Sequence, residues 1–173
     1  MSKLPTPHDP LTALGEAYEL LLDKTVQKAE QTKIQSGPAF HNLIDEVAQK
    51  SSDISELAGE EALKLGQYLK RDLLEAANFM DKTGKALKDW LGFDMAILEE
   101  RLRDDFSKAA DQTTVELLKL KQEAEAAGYH TGEITGPGTL LCDQCGEKLH
   151  FHKAGHIPPC PKCQAVSFHR EAE

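Results

Sequence analysis

The chain has 173 residues, enough for one medium-sized domain and a small appendage. Its 29 acidic against 20 basic residues give a formal charge of −9. That balance argues against direct nucleic-acid binding, which relies on Lys and Arg displacing counterions from phosphates. No apolar run approaches the roughly 18 residues a membrane span needs, and residues 1–10 lack the basic and apolar regions of a secretory signal.

The composition changes near Gly128. Residues 1–128 hold 16 Lys+Arg and 24 Asp+Glu, whereas residues 129–173 hold 4 and 5. Those last residues nonetheless contain all four cysteines and five of the seven histidines. The sequence therefore divides into an acidic helical region over 1–128, a Gly/Pro linker over 129–138 and a cysteine-bearing module over 139–173.

Taken in chain order, Leu11, Leu14, Tyr18, Leu21, Leu22, Thr25, Val26 and Ala29 recur at three- and four-residue steps. This stripe predicts one amphipathic helix of roughly 25 residues. Ser36-Gly37-Pro38 interrupts it, with Ser36 placed to cap the next helix and Pro38 suited to its first turn. A second stripe runs through Phe40, Leu43, Ile44, Val47, Ile54, Leu57, Leu65, Tyr68, Leu69, Leu73 and Phe79. Asp53 and Glu56 have capping-box spacing, so either one long helix or two joined near Ser52 is expected. The lack of Gly or Pro at the joint favours a continuous helix.

Thr83-Gly84 and Gly92-Phe93-Asp94 bracket a short helical turn around Trp90. Asp94 is expected to cap the last helix, with Ile97, Leu98, Leu102, Phe106, Ala109, Val115, Leu118 and Leu120 on its apolar face. Gly128 is expected to end that helix in the left-handed conformation. Stripes of this length predict an elongated, coiled-coil-like antiparallel hairpin or bundle, part of which a second copy of the chain could cover.

After the linker the period changes from 3.6 to 2. Leu149 and Phe151 alternate with Lys148, His150 and His152, and Val166 and Phe168 alternate with Ser167 and His169. With Thr139-Leu140-Leu141 they predict three short strands. The overall expectation is a mainly α chain ending in a small three-stranded β ribbon.

Cys142 and Cys145 form one Cys-x-x-Cys, Cys160 and Cys163 a second, with residues 146–159 between them. One tight turn can aim both sulfurs of such a pair at a single ion, and two turns together supply the tetrahedral thiolate shell that zinc favours. Gly146 can take the positive φ such a turn needs, while the matching position after Cys163 is Gln164. Mononuclear iron and a thiol redox switch are the alternatives. One structural zinc is the favoured reading, since four protein ligands leave no position open for an activated water. Such a small module lacks a large core, so the metal would supply most of its folding free energy, on the order of 10 kcal/mol. Chelation is then expected to unfold it and leave the helices nearly intact.

Other residues read more plainly. His150, His152 and His169 are expected on the solvent face of the ribbon, as polar decoration or a pH-sensitive contact. Glu60-Glu61, Glu99-Glu100 and Asp104-Asp105 read as solvated faces, and His41 as a surface or boundary residue. No Gly-x-Gly-x-x-Gly, Walker loop or Gly-x-Ser-x-Gly occurs. The sequence reads as non-enzymatic.

The run Leu141-Cys142-Asp143-Gln144-Cys145-Gly146, the run Pro159-Cys160-Pro161-Lys162-Cys163, the Gly/Pro segment before them and the long helices from Leu11 to Ala127 resemble the zinc-ribbon-containing family of small bacterial proteins. The resemblance implies zinc at Cys142, Cys145, Cys160 and Cys163 and implies no activity. A cytoplasmic, zinc-stabilised module that docks an unknown protein partner is the leading expectation. A transcription- or translation-associated regulator and a zinc-thiol redox sensor are the alternatives.

Overall fold

A computed structural model describes residues 10–34, 36–50, 59–114 and 128–170. Five α-helices precede six short strands among them: α1 (Pro10–Thr32), α2 (Gly37–Gln49), α3 (Gly59–Thr83), α4 (Leu87–Leu91), α5 (Glu100–Thr114), β1 (Tyr129–His130), β2 (Ile134–Thr135), β3 (Gly138–Cys142), β4 (Lys148–Phe151), β5 (Gly155–His156) and β6 (Ser167–Arg170).

The α1 stripe turns inward as its periodicity predicts: Tyr18, Leu21, Leu22, Thr25 and Val26 are all buried. The Ser36 hydroxyl accepts from Ala39 N at 3.2 Å and starts α2, with Pro38 in the first turn. A continuous second helix does not form. On one straight helix Ile44 and Gly66 would stand about 33 Å apart. Instead, a Cβ built on Gly66 would lie 3.5 Å from Ile44 and 3.6 Å from Ala48, and Lys70 pairs with Asp45. Helices α2 and α3 are thus two packed elements, because both carry an apolar stripe that only side-by-side packing can cover. The joint near Ser52, with Asp53, Ile54, Glu56 and Leu57, lies outside the described residues.

Asp94 caps a different element from the one expected. Its carboxylate accepts from Ala96 N at 2.9 Å and closes a single 3-10 turn over Met95–Ile97. Leu98 then takes extended backbone, and α5 begins at Glu100. That break leaves Ile97 half exposed while Leu98, Leu102, Phe106 and Ala109 enter the core. Trp90 of α4 stacks on Phe106 with centroids 5.7 Å apart. Val115, Leu118 and Leu120 lie outside the described residues. The helix end expected at Gly128 also lies outside the described residues. No described helix is long and apolar enough to cross a membrane.

The expected strands form, but inside a larger arrangement. An antiparallel sheet of order β1-β6-β3-β4 is joined by a two-stranded pair, β2-β5. Residues 129–138, expected as a linker, contain β1 and β2: Tyr129 faces Phe168 across β1-β6, and Ile134 faces His156 across β2-β5. The Gly and Pro spacing that suggests a tether serves the tight turns and close approaches between these strands. Leu140, Tyr129, Ile157 and Phe168 form the ribbon's own small core, whereas Ile134 and Ala154 pack into the helical core. Val166 was expected inside. Strand β6 begins one residue later, so Val166 is 57 % exposed and Ala165 is buried instead.

Candidate metal centre

Two turns of the same construction carry the cysteines. In the first, Cys142 N donates to Glu147 O and Gly146 N to Cys142 O, both at 2.9 Å. In the second, Cys160 N donates to Ala165 O and Gln164 N to Cys160 O, again at 2.9 Å. Gly146 takes φ +74° as the turn requires. Gln164 occupies the matching place with φ +65°, a left-handed conformation that a side chain with a Cβ adopts at a cost.

The turns bring the four sulfurs together. Cys142 Sγ lies 3.5 Å from Cys163 Sγ and Cys145 Sγ lies 3.6 Å from Cys160 Sγ, and all four lie within 4.8 Å of one another. None is in a disulfide. A tetrahedron with Zn–S bonds of about 2.3 Å has edges of about 3.8 Å, so the cage is the right size for the ion. Cys142 and Cys160 are buried, Cys145 is half-buried and Cys163 is exposed.

Local electrostatics favour the thiolate form first at Cys142. The N–H of Cys145 and, after an opposing desolvation, that of Gln144 lower this thiol to about 6. Cys163 is pushed up to about 12: the Ala165 N–H draws it down, but desolvation and the three neighbouring thiols outweigh that pull. Four thiolates cannot crowd together unless a cation neutralises them, so binding a metal here releases protons.

The histidines divide. The Thr139 hydroxyl donates to Leu91 O at 2.6 Å, which leaves its lone pair to accept from His150 Nδ1 at 2.9 Å. His150 and His152 meet the Phe93 ring edge-on, with centroids 6.4 and 4.8 Å away. His169 pairs with Asp143. All three stay exposed, as expected, though two also touch the loop after α4. Among the described residues the four cysteines alone form a cluster able to hold a metal. His41, expected near the surface, is 3 % exposed, with Nε2 3.1 Å from Thr113 Oγ1. Desolvation, then the Lys70 charge, lower its pKa to about 4. Asp105 is buried too, and desolvation followed by a hydrogen bond with Asp23 raises it to about 6.

Sequence reading missed a buried polar network joining the ribbon to the helices. Asp72 on α3 is fully buried and accepts from Tyr18 Oη at 2.6 Å, Gly136 N at 2.7 Å, Arg71 Nε at 3.2 Å and Arg170 at 3.4 Å. Arg71 also reaches Glu133 and the Ile134 carbonyl, and Arg170 reaches Thr135 Oγ1 at 2.7 Å. Both guanidiniums lie over the Tyr129 ring, Arg71 Cζ 4.0 Å and Arg170 Cζ 4.9 Å from its centroid, while Arg170 also covers Trp90. Burial and then the Asp72 carboxylate hold the Tyr18 hydroxyl well above its ordinary range, so it remains a donor. A Cβ on Gly136 would stand 2.5 Å from Tyr18 Oη, so only glycine fits there. Neither Arg71 nor Asp72 was singled out from the sequence. The signals of their burial are the Leu69 and Leu73 positions flanking them on the apolar stripe.

This fold and cysteine cage define a zinc-ribbon protein with a helical region packed onto the ribbon. Residues 27–172 match the family model described as the zinc-ribbon containing domain, and the chain belongs to that family. Among curated relatives it is similar to the uncharacterized protein YbeL of Escherichia coli strain K12, 29% identical over an alignment of 133 residues that covers 74% of this chain and 79% of the relative. The same figures hold for YbeL of E. coli O157:H7. No solved structure matches. The family and the four clustered cysteines together suggest zinc binding.

Proposed function

We propose that this chain is a non-enzymatic zinc protein of a reducing, cytoplasmic compartment, holding one structural zinc through Cys142, Cys145, Cys160 and Cys163. The observation that carries this reading is the four-sulfur cage, all within 4.8 Å, built by two turns with the same backbone hydrogen bonds. Four thiolates complete a tetrahedron, so the ion organises the ribbon and activates no water. A role as a protein-interaction module follows from what lies outside the cage. The second turn presents Pro158, Pro159, Pro161, Lys162 and Val166 at the surface. Among the described residues, most of the helical stripes are covered within one chain, which favours a partner other than a second copy.

Native mass spectrometry of the full chain, purified without added metal, tests both parts. One zinc per chain, lost in Cys160→Ser, is expected. Iron, no metal or intact disulfides would overturn the assignment. Cross-linking from a residue placed at Val166, followed by identification of the captured protein, is expected to yield a specific partner that a position on the far face of α1 does not. The exposure of Cys163 favours a second reading, oxidation-driven zinc release. Under it, dilute peroxide ejects zinc faster than from an ordinary structural site, and Cys163 is the first thiol found oxidised.

A further inference from the structure

We propose that the ribbon is a metal-dependent latch on the helical bundle: it covers Tyr18, Asp72, Trp90 and Leu91 while the metal holds it folded, and uncovers them when the metal leaves. The inference rests on the zinc reading above but concerns the helices. Read from sequence, the two regions are separate and metal loss spares the bundle. The shared network argues the opposite.

The ribbon's contributions to the bundle come from β3 and β6, which flank the cysteine turns, and from the segments around the β2-β5 pair, tied to the cysteine-bearing core through Ile157. Strand β6 follows the second cysteine turn and pairs with β3, where Cys142 faces Phe168 and Leu140 faces Arg170. Arg170 is therefore two register positions from a metal-binding cysteine at one side and in contact with Asp72 and Trp90 at the other. Strand β3 also supplies the Thr139 hydroxyl that holds the Leu91 carbonyl at the end of α4. The segment before β3 brings Glu133 and the Ile134 carbonyl to Arg71, and Gly136 N to Asp72. Ala154, after β4, donates its N–H to Glu19 on α1 at 3.0 Å.

The ribbon's own core is too small to keep these groups in place without the metal. Once they leave, Asp72 retains only Tyr18 and Arg71, and a buried carboxylate losing two of its donors must recover them from water. Water reaching Asp72 requires the surface around Tyr18, Trp90 and Leu91 to open. Metal loss thus turns a sealed face of α1, α3 and α4 into an exposed one that is apolar around an anionic centre.

Trp90 is the chain's single tryptophan and reports on the latch directly. The experiment is a chelator titration of the zinc-loaded full chain. Bound zinc is followed by native mass spectrometry, Trp90 by its emission, and α3 by hydrogen exchange of peptides spanning Leu69–Leu73. Loss of zinc is expected to shift Trp90 emission to the red and to speed exchange around Asp72 by more than about tenfold, with both reversed by added zinc. A chain that never binds zinc defeats the zinc reading itself. Zinc that leaves while Trp90 and α3 stay unchanged defeats the latch alone. Thr139→Val, which removes the hydrogen bond to Leu91 and leaves the cysteines in place, is expected to lower the chelator concentration at the emission midpoint by roughly threefold at unchanged zinc stoichiometry. An unchanged midpoint would overturn the proposal.

Discussion

Replacing Asp72 by alanine should be among the most damaging single substitutions in this protein. The carboxylate is completely buried and answers four donors from three parts of the chain. Without it Arg71 keeps Glu133 and the Ile134 carbonyl. Arg170 keeps Thr135 Oγ1, a long contact to the Pro137 carbonyl, two aromatic faces and the more distant charge of Glu75, but loses the carboxylate it hydrogen-bonds. Breaking a buried ion pair from one side costs about 3–5 kcal/mol. The Tyr18 hydroxyl and Gly136 N–H are orphaned as well, at about 1–3 kcal/mol each if the groups acted independently. They share one site, so the losses overlap, and about 4 kcal/mol is the expected total. For a chain of this size that is a fall in melting temperature of about 8–16 °C. Glu133→Gln is the control: Glu133 is part-exposed and Arg71 retains Asp72, so about 1 kcal/mol is expected. Zinc-loaded protein, unfolded by heat and by guanidinium and followed by far-UV circular dichroism, gives both numbers. A cost below about 1 kcal/mol for Asp72→Ala would refute the claim that this network carries stability.

Three further outcomes are expected. The folded state depresses the His41 pKa to about 4 from 6.5, so the unfolded chain binds more protons between those values. Stability is therefore present above about pH 6.5 and lost as pH falls toward 4, by up to about 3 kcal/mol, and His41→Gln should flatten that part of the pH–stability profile. Asp105 acts with the opposite sign. Its folded pKa is raised to about 6 from 3.8, so its contribution is present below pH 3.8 and lost as pH rises through 6. Asp105→Asn should accordingly raise the melting temperature at pH 7 and have little effect at pH 4. Finally, Gln164→Gly relieves the left-handed backbone after Cys163 and should stabilise the ribbon by about 1 kcal/mol, seen as greater resistance to chelator at constant zinc stoichiometry.

The elements that periodicity controls were legible in the sequence. The α1 stripe, the Ser36 cap, the strands carrying Leu140, Leu149 and Phe168 and the positive φ of Gly146 all follow from local spacing and local chemistry. The cysteine cage was legible because each half is a four-residue turn. What failed depends on contacts distant in sequence. A stripe shared by α2 and α3 looks the same on one helix or two, and only the packing of Gly66 against Ile44 decides. Asp94 is a good cap wherever a turn begins, and the extended backbone of Leu98 sets which turn that is. The glycines of residues 129–138 look like those of a tether because the pattern for tight turns is the same. Arg71, Asp72 and Arg170 drew no reading at all, because burial of a charge depends on partners up to 98 residues away.

That separation has a consequence during synthesis. Asp72 emerges from the ribosome with Tyr18 and Arg71 already made, but its other two donors, Gly136 and Arg170, follow 64 and 98 residues later. The nascent helices therefore cannot seal that face and must hold a hydrated carboxylate at the centre of an otherwise apolar surface. Under the latch proposed above, native closure waits for the second cysteine pair, and so for the encounter with metal. In a zinc-starved cell, newly made chains would stall at this point, helical but open, and meet chaperones and proteases with that face outward.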